Sequence, residues 1–287
     1  MSPPIIFALM RMVALLGSDD VPPAAPLKPA DRLQILHQAE AARWRMYLDA
    51  DRDVEARFNP TPVYVWTNPT RNGGQHGAVY VWTDRGRPIV VGSVFSHPEE
   101  GQRVVCHEFH SLAPSILVPE RGADDEAWEP KAAVTVQPLA GAAQPDKSPS
   151  RRLIQMRNLS REFSAHSIDF REERWELRLL PQPLYRYEKP EGDVIDGALF
   201  AFVTSAGTDP EVVLALEARR EADGPAWYYR AVRFSDSNLY VERGGKEIWT
   251  SIRDDERNQL HFNPDHAYRL IRDKFIDELP ELVNENP

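Results

Sequence analysis

Cys106-His107-Glu108-Phe109-His110 is the densest run of reactive side chains in the chain's 287 residues. A thiol, a carboxylate and two imidazoles within five residues supply the groups used in acid–base, nucleophilic and metal chemistry. Valines flank the run, which points to a strand, and side chains along a strand alternate between faces. Cys106, Glu108 and His110 then share one face, and His107 and Phe109 share the other. If the first face is inward and beside a cleft, Glu108 and His110 are candidate acid and base with shifted pKa values. If it faces solvent, they make cross-strand pairs only. Cys106 among valines reads as a packed small hydrophobe, with a place beside Glu108 and His110 as a ligand contact.

A metal site recruiting His97 is not expected. With residues 98–101 as the hairpin turn, His97 faces Gln102, His107 faces Gly92 and His110 faces Ile89. His97 is then roughly 16 Å from the His107 level at ~3.3 Å per residue, while one ion needs its nitrogens at ~2 Å. The single cysteine excludes a multi-cysteine site. The sequence calls for no metal and no cofactor.

Three further candidates surround residues 71–76, Arg71-Asn72-Gly73-Gly74-Gln75-His76. The two glycines lack the strand–helix setting of a phosphate-binding loop, so the segment reads as a loop between strands that can form a binding rim. His76 lies on it. Trp66 and Trp82 flank it and are candidate aromatic contacts for a sugar or peptide, beside a plain core-packing role. His261 and His266, around Asn263-Pro264, read as a helix start with no zinc spacing. No serine sits in a Gly-x-Ser-x-Gly context.

The elements that must position these groups are short. Residues 31–47 and 151–165 have helical spacing. Residues 62–67, 78–83, 88–97, 103–112 and 116–118, and later 175–180, 198–204, 211–217, 226–234, 238–242 and 247–252, read as antiparallel strands between turn residues. Residues 130–149 are rich in Ala and Pro without periodicity. After Asn263-Pro264, the residues Leu270, Ile271 and Phe275 suggest a last helix.

The two halves align at offsets of 120–122. Glu55, Arg57, Pro60, Pro62 and Tyr64 recur as Glu176, Arg178, Pro181, Pro183 and Tyr185, and Trp66 meets Tyr187. Gly77-Ala78 recurs as Gly197-Ala198, and Glu120-Arg121-Gly122 as Glu242-Arg243-Gly244. The expected fold is therefore α+β with an internal duplication, each copy one helix followed by a meander of about six strands, packed as a pseudo-twofold pair. The divisions are a leader and linker at 1–30, a first repeat at 31–130, a linker at 131–150, a second repeat at 151–252 and a helical tail at 253–287. Counted through this repeat, Glu108 and His110 meet the apolar Val232 and Phe234.

Segments 176–187 and 196–203 resemble those of an uncharacterised bacterial family whose members are often predicted to be exported. The resemblance runs from about residue 31 to 249 and implies no activity, cofactor or site residue. The apolar residues 5–16, interrupted by Arg11, also read as a leader, and the expectation leans to export over the cytoplasm. No apolar run reaches the ~18 residues of a membrane span. Asp and Glu outnumber Lys and Arg by 44 to 34, a formal charge of −10, which argues against a nucleic-acid partner. The reading is a noncatalytic module binding an unknown small molecule or protein in the groove between copies. The alternatives are a hydrolase or isomerase using Glu108 and His110, and a structural envelope protein.

Overall fold

The structure, a computed structural model, describes residues 28–122, 128–130, 135–253 and 265–277. The expected leader, His261 and the Asn263-Pro264 helix start lie outside the described residues.

The first half opens with α1 (Pro29–Ala41), with proline in its first turn. Leu33, His37, Glu40 and Ala41 recur at helical spacing and form its buried face. The expected extension to residue 47 does not occur. Met46 and Tyr47 are buried in β1 (Arg45–Tyr47), which pairs with β7 (Val118–Glu120). Between them come β2 (Arg57–Phe58), β3 (Tyr64–Asn68), β4 (Gln75–Asp84), β5 (Arg87–Glu99) and β6 (Gln102–Ser111). The second half follows β8 (Gln137–Pro138) with α2 (Pro149–Ser160), β9 (Phe163–Ile168), β10 (Arg174–Leu179) and β11 (Tyr185–Arg186). It continues with β12 (Val194–Val203), β13 (Pro210–Arg219), β14 (Ala226–Arg233), β15 (Asn238–Arg243) and β16 (Lys246–Ser251). The class is α+β, and every pairing is antiparallel.

Several strand pairings recur between the halves, while among the described residues the pairings of β9 with β10 and of β15 with β16 belong to the second half alone. β1 joins β7 and β9 joins β15. β2 and β3 both lie along β4, as β10 and β11 both lie along β12. The runs β4-β5-β6 and β12-β13-β14 then continue as meanders. α1 covers the outer face of the first sheet over a core that includes Trp44, Tyr80, Trp82 and Phe109. α2 covers the outer face of the second sheet over Met156, Phe200, Leu214 and Trp227. A third core, with Trp66, Val79, Val91, Leu199, Val213 and Val232, lies between the sheets. β4, β5, β12 and β13 are therefore covered on both faces, which is why they carry continuous apolar runs.

Two expectations are corrected. The residues expected as a C-terminal helix form β17 (Tyr268–Asp277), which lies along β6. Left without a partner, the well-buried β6 would keep a row of unpaired amides, and a strand satisfies them where a helix cannot. The β5–β6 turn is also tighter than residues 98–101. Glu100 (φ 51°) and Gly101 (φ 81°) both take left-handed angles, as a two-residue turn of the I′ type requires. The strands thus pair up to Glu99 and Gln102, so His97 faces Val104, His107 faces Val94 and His110 faces Val91. In register, Glu108 stands opposite Ser93, and Arg230 stands opposite Ala215. Counted through these registers from Gly77 and Gly197, Glu108 lies level with Arg230 and His110 with Val232, where counting along the sequence had set them against Val232 and Phe234.

Candidate functional site

At one end of the layer between the sheets lies a cavity of about 230 Å³. Adjacent strands of the first sheet supply one wall: Phe95 on β5, Cys106 and Glu108 on β6, and Leu270 on β17, with Trp66 reaching over from β3. The second half supplies Asp209 before β13, the segment from Phe234 to Ser237 after β14, and Phe170 in the β9–β10 turn. Phe170 is 77% exposed and also lines a neighbouring hollow of about 310 Å³.

Glu108 is the chemical centre of this wall. Its residue is 7% exposed, and the Tyr268 hydroxyl donates to its Oε1 at 2.6 Å. Burial pushes the carboxyl up to about 8. The Tyr268 hydrogen bond opposes this, Asp236 and Asp209 add to it, and Arg71 works against it. Near neutral pH the group is mostly the neutral acid. Tyr268 rises in turn, through burial and then the Glu108 charge. Cys106 shares the face, and burial pushes its thiol up to about 12, so it presents a neutral S–H.

Two arginine clips shape the cavity, one ion-paired and one hydrogen-bonded to backbone carbonyls. Arg71 reaches from the loop after β3 to Asp209 and Glu211, at 2.9 Å each. Asn68 donates to the other oxygen of Asp209 at 2.9 Å. Arg233 donates to the carbonyls of Ser235 and Ser237 at 2.7 Å each, which fixes the loop after β14. These partners were missed in the sequence because each lies far along the chain from Glu108. The only local signal was the polar run Ser235-Asp236-Ser237-Asn238 between two strands.

The remaining sequence candidates scatter. His110 is buried, and its Nδ1–H donates to the Arg233 carbonyl at 3.0 Å. Burial holds its pKa down at about 3, so it is a neutral imidazole. It does not line the cavity, and the structure does not bring it into an acid–base pair with Glu108. Trp66 does line the cavity. Its Nε1 donates to Ser93 Oγ at 3.1 Å, and its ring lies 5.6 Å from that of Phe95. Trp82 points to the opposite face of the sheet, where its Nε1 donates to the Trp44 carbonyl at 3.0 Å. The two tryptophans therefore form no common platform. His76 is the second residue of β4 and lines a hollow beside α1 instead.

His107, on the other face of β6, joins Glu40 and Asp273 with ligand-type atoms within 4.8 Å of one another. Trp44 Nε1 donates to His107 Nδ1 at 3.1 Å, so the proton lies on Nε2, which donates to Asp273 at 3.3 Å. Arg121 pairs with Asp273 at 2.7 Å, and Arg43 and Lys274 pair with Glu40. A bulge at Asp273 lets both it and Lys274 reach the α1 side. The cluster is already neutralised by three cations and ties α1 to β17.

No family model matches the chain, and no curated protein and no solved structure matches it either.

Proposed function

We propose that the protein is a noncatalytic binding module whose small ligand occupies the cavity between the two halves, with Glu108 as its buried hydrogen-bonding group. One observation carries this reading: a single cavity joins an apolar wall of Trp66, Phe95, Phe234 and Leu270 to a buried carboxyl with one oxygen engaged by Tyr268. Such a combination is the usual make-up of a ligand site. A dry cavity of ~150 Å³ is enough to take up benzene, so about 230 Å³ suits a ring-sized molecule.

The reading also takes the two halves as copies of one unit, with the cavity as a feature of their divergence. Three correspondences support this. Several strand pairings recur, β2 and β3 along β4 as β10 and β11 along β12, each followed by a three-strand meander. Gly77 lies under the Trp66 ring as Gly197 lies under Tyr187. The β1–β2 and β9–β10 turns are both built on an aspartate, Asp49 or Asp169, that accepts backbone N–H groups, and Arg52 and Glu172 both have φ 62°. Export belongs to the reading only through residues 5–16 and the family resemblance.

The test is a thermal-shift screen of ring-sized polar molecules against wild type and Leu270→Trp, which fills the cavity from β17. The expected result is a set of hits that stabilise the wild type and are lost in Leu270→Trp. Hits that persist in a folded Leu270→Trp protein place the site elsewhere and overturn the reading. Phe170→Ala supplies a second arm at an exposed side chain, and ligand affinity there should fall without loss of fold.

A further inference from the structure

We propose that the ligand is a ring-bearing organic cation, an amine whose ammonium group is held by Glu108 and whose ring lies against Trp66 and Phe95. The inference rests on the cavity being the binding site and adds the chemical class of what enters it.

The charges around the cavity favour a cation. Glu108, Asp169, Asp209 and Asp236 line it, against the guanidinium groups of Arg71 and Arg272. Both guanidiniums already have carboxylate partners: Asp209 and Glu211 for Arg71, and Glu99 for Arg272. An incoming anion would have to compete with these carboxylates. An incoming cation faces no such competition, since the guanidiniums of Arg71 and Arg272 are already matched by carboxylates. The geometry of Glu108 agrees. Among the described residues its hydrogen-bond partner is Tyr268, on Oε1, and Oε2 remains for the ligand. The rings of Trp66 and Phe95 are tilted by 44° and border the same space, and ring faces attract ammonium groups.

Binding then displaces the Glu108 proton. The charged and titratable groups around this carboxyl are Tyr268 and Arg272 from β17, Cys106 beside it on β6, His97 on β5, Arg71 from the loop after β3, Asp169 in the β9–β10 turn, Asp209 before β13, and Arg233 and Asp236 at the end of β14 and beyond. With the cavity empty, the carboxyl titrates at about 8. A bound ammonium favours the ionised form, so below that pH one proton leaves for each cation bound. Affinity should rise about tenfold per pH unit where the free carboxyl is protonated and the bound one is ionised. The rise ends above the carboxyl's own pKa and reverses where the amine itself loses its charge.

The experiment measures benzylamine, benzyl alcohol and benzoate binding by calorimetry at pH 6, 7 and 8, each in two buffers of different ionisation heat. The expected result is tightest binding of benzylamine, roughly tenfold tighter per pH unit, with proton release visible as a buffer-dependent heat. Glu108→Gln keeps an acceptor for Tyr268 and should remove both the pH slope and the preference for the amine. Benzyl alcohol or benzoate binding as tightly as benzylamine, and blocked by Leu270→Trp, overturns the cation assignment while the cavity reading stands. Benzylamine binding without a pH slope in the wild type overturns it too, whether or not the variant folds. No binding of any of the three overturns both.

Discussion

Two buried carboxylates, one in each sheet, titrate in opposite directions. Glu108 is buried with a tyrosine hydroxyl as its partner, and its pKa is pushed up to about 8. Glu217 is 1% exposed, and its pKa is lowered, because the charges of Arg230, Arg87 and Arg219 outweigh its burial. Tyr187 donates to it as well, at 2.9 Å. The sheet registers explain the contrast. Counted from Gly197 and from Gly77, Arg230 and Glu108 lie level in their sheets, and Glu217 stands opposite Gly197 while Phe95 stands opposite Gly77. Where the second sheet sets an arginine beside a carboxylate and seals the space with ion pairs, the first sets a carboxylate beside aromatic rings and leaves a cavity. Between these two groups depth does not decide protonation; three guanidiniums around Glu217 do, whereas the single Arg71 beside the equally buried Glu211 leaves that carboxyl raised by its burial.

The largest way to break this comparison is Glu217→Ala. It removes the carboxylate shared by Arg87, Arg219 and Arg230, and leaves Arg230 deeply buried without its counter-charge. Losing one partner of a buried pair costs about 3–5 kcal/mol, so urea unfolding should show a loss of that size. A loss under ~1 kcal/mol would mean that the arginines do not depend on Glu217, and the contrast with Glu108 would collapse. Glu108→Gln should cost less than ~1 kcal/mol near pH 4, where the carboxyl is neutral in the folded chain and largely so in the unfolded one, since the amide keeps an acceptor for Tyr268.

The pH dependence of stability sharpens the same point. The folded Glu108 titrates at about 8, against ~4.3 in the unfolded chain. The folded state holds the proton more tightly, so this group's contribution is fully present below pH ~4.3 and is lost as pH rises through the folded pKa. The loss is on the order of 4 kcal/mol across that window. Denaturant unfolding of wild type and Glu108→Gln from pH 5 to 8 should therefore show the variant gaining on the wild type as pH rises. Parallel curves would show that Glu108 is not held neutral.

Much of this was legible in the sequence, within limits set by distance along the chain. β-branched and aromatic runs between turn residues marked the long strands, and alternation placed Cys106, Glu108 and His110 on one face. The β5–β6 register was not legible. Pro98-Glu99-Glu100-Gly101 reads as a four-residue turn, yet Glu100-Gly101 alone makes the reversal and Pro98 stays paired opposite Arg103. The last helix was misread because Leu270, Ile271 and Phe275 carry no local sign that β6 needs a partner. His110 looked like a base for Glu108 because two residues on one face of a strand are neighbours. Its hydrogen bond goes instead to Arg233, on the other sheet.

A smaller effect tests the paired glycines. An added Cβ at Gly77 would lie 2.4 Å from Trp66 ring carbons and 2.7 Å from Phe95 Cβ. At Gly197 it would lie 2.6 Å from the Tyr187 ring. Both Gly→Ala changes should destabilise by about 1–3 kcal/mol, the usual cost of overpacking. Gly77→Ala should be the worse of the two in thermal melts, because its methyl is pinned from two sides. It should also weaken ligand binding, since Trp66 and Phe95 line the cavity while Tyr187 does not. Equal binding in both variants would separate the Trp66 wall from the site.

The smallest effect on folding isolates the site most cleanly. The turns on Asp49 and Asp169 have the same backbone plan, but the residue after the aspartate is Ala50 in one and Phe170 in the other. Phe170→Ala gives the second turn the side chain that the first already carries. The turn's hydrogen bonds run from backbone N–H groups and Trp175 to the Asp169 carboxylate, so none is lost. With 77% of Phe170 exposed, stability should stay within ~0.5 kcal/mol of wild type. Affinity for benzylamine should nonetheless fall several-fold, because the exposed ring, met in the free protein by the neighbouring Arg171 guanidinium at 5.2 Å, would gain its contact at the cavity mouth from a ligand. Ala50→Phe, on a turn that lines neither this cavity nor its neighbour, should change neither quantity. If Phe170→Ala leaves affinity untouched, the difference between the two turns has no bearing on binding, and the ligand lies deeper, against Glu108 and Trp66 alone.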